Sequence, residues 1–257
     1  MGHNNLIINL TGLSFSFSAD KLVLDNLSFH LHRGDRIGLV GPNGSGKTTL
    51  VMAIIGYPEY RVAKGQILFD GEEITKLDIT ERARLGIGVS QQRPPTVAGV
   101  KLRQILDFVI ENAPERAQEI DDLARAFQME EFLDRDINAD LSGGEIKRSE
   151  LFQLLVTRPR FAMMDEPDSG IDLEALAVVG DMVNALLSKE PDRPAHRRAG
   201  LLITHTGRIL DYIHADKAHI MLDGRIGCSG NPHILLDKIR KHGYEECIRC
   251  ILRRREG

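Results

Sequence analysis

Residues 41–48 read Gly41-Pro42-Asn43-Gly44-Ser45-Gly46-Lys47-Thr48. This fills every fixed position of G-x-x-x-x-G-K-[ST]. The apolar run before it, Ile37-Gly38-Leu39-Val40, suits a short buried strand. After it, Thr49–Ile55 continues as a helix, and Gly56 is placed for a C-cap. Strand, glycine-rich loop and helix in this order form a phosphate cradle. The glycines let backbone N–H groups curl around phosphate oxygens. Lys47 adds a point charge for the β and γ phosphates, and the Thr48 hydroxyl can ligate Mg²⁺. The loop therefore predicts an α/β nucleoside-triphosphatase core.

The pattern on either side agrees. Leu13–Phe17 and Leu27–Leu31 alternate apolar and polar residues, as half-buried strands do, and Arg33-Gly34-Asp35 is a turn. Gln66–Phe69 is a strand closed by Asp70-Gly71, a hairpin signal. Ile87–Ser90 is a short buried strand, and Pro94-Pro95 then breaks the chain. Residues 100–158 read as mostly helical, with Leu102, Ile105, Leu106, Val109 and Ile110 on one face. Phe161–Met164 and Leu201–Thr204 are core strands. Ile220–Leu222, Asp223-Gly224 and Arg225–Cys228 make a terminal hairpin. Lys238–Arg253 is a closing helical region interrupted near Gly243. The expected organisation is one domain over 1–257. Residues 1–92 and 159–257 form an α/β core with an N-terminal antiparallel β subdomain, and 93–158 is an inserted helical subdomain. Pro191–Arg198 (PDRPAHRR) reads as an exposed loop.

Two further stretches carry chemistry. Residues 141–150 read LSGGEIKRSE, where Ser142 and Glu145 have capping-box spacing. A helix starting there aims free N–H groups and a positive dipole end at an anion. Phe161-Ala162-Met163-Met164-Asp165-Glu166 is an apolar strand ending in two acids. Ligands bind at the carboxyl ends of strands in open α/β sheets. There Asp165 is suited to hold Mg²⁺ and Glu166 to orient or deprotonate water. His205 and Gln92 also follow apolar strands, but neither carries weight by itself.

In combination and in this order, these motifs resemble the ATP-binding cassette ATPases over nearly the whole chain. The resemblance implies the cassette type of P-loop fold, with ATP and Mg²⁺ as ligands. Residues 41–49 (Gly41, Asn43, Gly44, Ser45, Gly46, Lys47, Thr48 and Thr49 among them) match the Walker A loop. Gln92 matches the Q-loop glutamine, which reaches Mg²⁺ and the attacking water. Residues 141–145 match the signature motif, Asp165 the Walker B aspartate and Glu166 the catalytic glutamate. Ser169–Asp172 matches the D-loop, His205 the switch histidine, and Phe17 lies where the family often places an aromatic under adenine. The family pairs two such chains head to tail, with Ser142, Gly143 and Gly144 of one closing over the γ-phosphate held by the other. A transient homodimer is implied.

Three flanking stretches look like the SufC branch, the ATPases of SUF iron–sulfur cluster assembly. They are Glu145-Ile146-Lys147-Arg148-Ser149-Glu150-Leu151-Phe152-Gln153, Glu166-Pro167-Asp168-Ser169-Gly170-Ile171-Asp172 and Arg208–Ile213. Asp168 stands where transport ATPases usually carry Thr. The Gln92-to-Val100 segment is similar too, and it is the expected docking surface for SufB- and SufD-like partners. Pro167 and Thr206-Gly207 depart from the branch pattern. Lys147 and Arg148 read as helix-surface charges. The alternatives are the ATPase subunit of an importer and an ATP-gated clamp with little hydrolysis.

Composition bounds the rest. A net charge of −4 gives no bulk attraction to nucleic acid. No apolar run approaches the roughly 18–20 residues that span a bilayer, so direct membrane insertion is not expected. MGHNNLIINL lacks the regions of a signal peptide, and a cytoplasmic location is expected. Three cysteines make no disulfide framework, and the pair Cys247 and Cys250, with Cys228 distant, falls short of four metal ligands.

Overall fold

The computed structural model describes residues 5–18, 21–188, 197–244 and 247. Alternation near the N-terminus folds into two long antiparallel strands, β1 (Leu6–Ser18) and β2 (Lys21–His32). In β2, Leu27, Phe29 and Leu31 are buried while the residues between them are exposed. Asn26, at φ 50°, shifts the phase so that Leu24 and Leu27 both face inward. β3 (Arg36–Val40) runs into the glycine loop and then α1 (Lys47–Ile55), which begins two residues earlier than the sequence pattern placed it. β4 (Lys64–Phe69) and β5 (Glu72–Glu73) close on Asp70 (φ 53°) and Gly71 (φ 87°), left-handed residues that suit the hairpin twist. The antiparallel sheet has the order β2-β1-β4-β5.

α2 (Ile79–Arg84) starts on an Asp78–Glu81 capping box. Its Arg82 is buried and donates to four carbonyls, those of Ala53, Ile54, Leu77 and Thr75. It thereby satisfies the carbonyl end of α1, which would otherwise be orphaned. β6 (Ile87–Ser90) has the limits read from the sequence.

The segment that follows is not helical throughout. β7 (Val97–Lys101) pairs antiparallel with β8 (Asp136–Ile137), across α3 (Leu102–Asn112) and α4 (Ala117–Ala126). Gly99 (φ 79°) donates its N–H to the Asp136 carboxylate at 2.8 Å, a contact that no local pattern announces. Leu102 and Leu106 of α3 are buried, and Ile105, Val109 and Ile110 pack against the same core.

α5 (Gly143–Thr157) leads to β9 (Phe161–Asp165), α6 (Leu173–Leu186), β10 (Ala199–Thr204), β11 (Lys217–Leu222), β12 (Arg225–Gly230) and α7 (Pro232–His242). The main sheet has the order β12-β11-β3-β10-β9-β6, with all pairings parallel except β11 with β12. It is covered on both faces. Phe161 and Met163 of β9 join one core with α1 and the antiparallel sheet, and Ala162 and Met164 join the other with α5 and α6. This double burial explains why the strands read as continuous apolar runs rather than alternating ones. α7 starts earlier than the sequence suggested and stops at Gly243 (φ 62°). Cys247 is buried, while Cys250, Pro191–Ala195, His196 and Arg253–Arg255 lie outside the described residues.

Candidate nucleotide site

Four adjacent parallel strands, β3, β10, β9 and β6, end on one side of the sheet. Their carboxyl ends deliver the glycine loop, His205, Asp165 with Glu166, and Gln91 with Gln92 respectively. This is where an open α/β sheet places its ligand. The cavity there measures about 1040 Å³. Phe17, Asn43, Gly44, Gly46, Lys47, Thr48, Thr49, Gln92, Glu166 and His205 all line it.

Three glycines of the loop are forced, and a Cβ at Gly41 would lie 2.2 Å from the Met221 carbonyl oxygen. Gly46 sits at φ 100° where a Cβ would meet the Val23 carbonyl at 2.8 Å, and it forms the left-handed N-cap of α1. Gly44, at φ 80°, faces open space. Lys47 is buried, and its ammonium donates to the carbonyls of Gly41 (2.8 Å) and Pro42 (3.0 Å). Burial pulls its pKa down, and the carboxylates of Glu166 and Asp165 oppose that. The Asp223-Gly224 turn braces the loop from outside, with the Gly224 N–H donating to Ser45 O at 2.9 Å.

Asp165 is almost fully buried, and neither carboxylate oxygen has a well-directed hydrogen bond among the described residues. Burial raises its pKa. The nearby Thr48 hydroxyl and the Lys47 and Lys147 charges hold it back, while Glu166 adds to the rise. Two unsatisfied hard oxygens beside a threonine hydroxyl fit a Mg²⁺ ion, which takes oxygen ligands. Glu166 is also buried and adopts φ 51°, a left-handed conformation that costs a non-glycine residue about 1–3 kcal/mol. Gln92 Nε2 donates to Glu166 Oε2 at 2.6 Å. His205 Nδ1 lies 3.0 Å from Glu166 Oε1, but off the line that a directed hydrogen bond needs.

The signature helix enters this site from behind. Lys147 is 4% exposed, so it is not a helix-surface charge. Its ammonium donates to the carbonyls of Gln91 (3.3 Å) and Gln92 (3.0 Å). Burial lowers its pKa against the pull of Asp165, Glu150, Glu166 and Asp168. Glu150 completes the support. Burial raises its pKa, and it accepts from Asn138 Nδ2 at 2.9 Å and from the Gln91 backbone. Arg148 stacks over Phe132, 5.3 Å from the ring centroid. Lys147 and Glu150 thus fix the backbone that carries Gln92, a role the sequence did not reveal.

Phe17 is 63% exposed, with its ring set edge-on against Phe15 and Tyr60 at 4.8 and 5.4 Å. Gly41, Ser45 and Asp165 do not line the cavity, and Ser45 Oγ is buried without a partner among the described residues. Ser142 caps α5, with its N–H donating to Glu145 Oε2 at 2.6 Å, and Gly143 and Gly144 pack close to Gly170 and Ala175. Asp172 caps α6 by accepting from the Ala175 N–H. None of Ser142, Gly143, Gly144 and Asp172 lines the chain's own cavity. Lys21, Leu22, Val23, Asp223 and Gly224 do line it, although no motif singled them out, and so does Ser169 of the stretch matched to the D-loop.

Fold and site together define a P-loop nucleotide hydrolase of the cassette type. The family model described as ABC transporter matches residues 24–169. A probable ABC transporter ATP-binding protein of Streptococcus pyogenes is 37% identical, with 94% of this chain and 92% of the relative covered. Vegetative protein 296 of Bacillus subtilis is 35% identical over 88% of this chain and 87% of its own. A probable ATP-dependent transporter of Synechocystis sp. is 34% identical over 93% and 94%. The crystal structure of an ATP-binding cassette of an ABC transporter in its ADP conformation superimposes with a TM-score of 0.71 at 23% identity, over 96% of this chain and 98% of that one. The chain therefore belongs to the ABC transporter family as an ATP-binding cassette ATPase, an enzyme that hydrolyses ATP to ADP and phosphate. Among the described residues, no helix is long and apolar enough to cross a membrane.

Proposed function

We propose that this ATPase acts as the SufC-like motor of iron–sulfur cluster assembly, rearranging a SufB/SufD-like scaffold as it turns over. The observation that carries the branch assignment is where its distinguishing residues sit. Lys147, in the stretch after the signature, is bonded to the Q-loop backbone. Asp168, where transport ATPases usually carry Thr, accepts from two threonines beside His205. Residues that set the branch apart are therefore wired into the catalytic loops.

In the proposed mechanism, Lys47 and the loop amides grip the phosphates, with Phe17 against the base. Thr48 and Asp165, with Gln92, would hold Mg²⁺, which supplies charge neutralisation at the β and γ phosphates. Glu166 takes the position of the general base for water. Gln92 bonds one of its oxygens, and His205 Nδ1 lies 3.0 Å from the other. His205 also places positive hydrogen-bonding character near the γ-phosphate. Two chains meet head to tail, and Ser142, Gly143 and Gly144 complete the partner's site. Their exposed helix start, outside the chain's own cavity, supports that arrangement. Closure and reopening of this dimer move the attached subunits. Residues 93–158 serve as the helical subdomain, with the Gln92–Val100 segment as docking surface, in a cytoplasmic setting.

A transporter subunit is the second reading, favoured by the relatives in Streptococcus and Synechocystis, which are described as probable transporter proteins. Affinity capture of the tagged native complex separates the two. Soluble SufB/SufD-like proteins in stoichiometric yield are expected, whereas membrane permease subunits in their place would reject the cluster-assembly reading.

A further inference from the structure

The segment that carries His205 is held by a carboxylate that no assigned role uses. Asp168 is 4% exposed and lies in the turn after Glu166, where the Ser169 N–H donates to Glu166 O. One of its oxygens, Oδ2, accepts from two hydroxyls at once, Thr204 Oγ1 at 2.8 Å and Thr206 Oγ1 at 2.6 Å. These two threonines flank His205 directly. Because each hydroxyl hydrogen points at Asp168, its lone pairs are left to face the backbone. Thr204 Oγ1 accepts from the N–H groups of Thr206 (3.2 Å) and Gly207 (3.0 Å), and Thr206 Oγ1 accepts from the N–H of Arg208 (3.1 Å). One carboxylate thus orients two hydroxyls, which pin three successive amides of the loop behind β10.

We propose that Asp168 is a positioning residue that locks the His205 loop onto the Glu166 turn, so that the histidine and the glutamate keep a fixed separation through turnover. This rests on the roles proposed above for Glu166 and His205. The geometry favours it over simple core satisfaction. A satisfied core acid would have both oxygens bonded, yet Asp168 Oδ1 is buried without a hydrogen bond among the described residues. Both donors instead converge on the oxygen shared by the two residues on either side of His205. A threonine at 168 would offer a neutral hydroxyl in place of a charged acceptor, so both donors would be held more weakly.

The test uses Asp168→Ala, together with Thr206→Val, which alters an exposed position and leaves the buried carboxylate in place. Each is measured for kcat and ATP affinity in the native and the His205→Ala backgrounds. In the native background kcat should fall about tenfold with ATP affinity within about twofold. In the His205→Ala background neither variant should lower kcat further, because the group being positioned is gone. Unchanged kcat, an equal fall in both backgrounds, or ATP affinity falling in step with kcat would each overturn the proposal. If Asp168→Ala does not fold, Thr206→Val decides alone. A His205→Ala enzyme as fast as the native one would instead reject the role given to His205, and the two failures are told apart by that single control.

Discussion

His219 should make the protein acid-labile in a way that one substitution removes. It sits on β11 at 9% exposure, with Nδ1 2.6 Å from Ser229 Oγ and its ring edge-on to Phe29 at 5.1 Å. It lines a separate cleft of about 670 Å³ between β2 and the terminal hairpin. Burial drives its pKa from 6.5 down to about 4, and Lys217 and His30 push the same way against a weak pull from Asp35. The folded state thus prefers the neutral ring, whereas the unfolded chain binds the proton near pH 6.5. Stability from this group is fully present above that pH, declines as pH falls through 6.5, and stops declining below about 4. Linkage over that interval gives a loss of about 2 kcal/mol at pH 5 relative to pH 8. In a chain of this size that is a melting temperature lower by about 4–8 °C. His219→Gln keeps a partner for Ser229 and cannot titrate. Denaturant unfolding at pH 8 and pH 5 should show the variant losing about 2 kcal/mol less than the native protein. Equal losses would mean that the buried ring does not set the acid slope.

Lys147→Met keeps the side-chain volume and removes two donors to the Q-loop carbonyls. Unfolding should show a loss of about 1–3 kcal/mol, and steady-state kinetics a lower kcat, because Gln92 loses its backbone support. Gly46→Ala drives a Cβ into Val23 O at 2.8 Å in a left-handed residue, and calorimetry should find ATP affinity reduced by more than about tenfold. Arg82→Met orphans the carbonyls of Ala53, Ile54, Leu77 and Thr75, and chemical denaturation should register a loss of about 2–4 kcal/mol.

Much of this was legible because it is local. The glycine loop, the Ser142–Glu145 cap and the Ile87–Ser90 strand depend on residues within a few positions of one another, and they read directly. What was missed is held together at long range. Lys147 looked like a surface charge because α5 has no clean polar face. Seven of its residues, from Lys147 to Val156, are buried among neighbouring elements. Its partners, Gln91 and Gln92, lie more than fifty residues earlier. The β7–β8 pair is invisible for the same reason, since two residues of β8 carry no periodicity of their own. Asp168 departs from the transporter pattern in the sequence, but its acceptor role appears only when β9 and β10 lie side by side. The Thr-His-Thr spacing around His205 was the available hint, because two hydroxyls flanking a strand-end histidine can share one acceptor.

The most direct test is hydrolysis by Glu166→Gln. The amide keeps the shape of the side chain and can still meet Gln92 and His205, but it cannot take a proton from water. The variant should bind ATP as the native protein does and accumulate as an ATP-stabilised dimer, while its single-turnover rate falls by about 10²–10⁴-fold. A variant that hydrolyses ATP at the native rate would contradict the site as assigned.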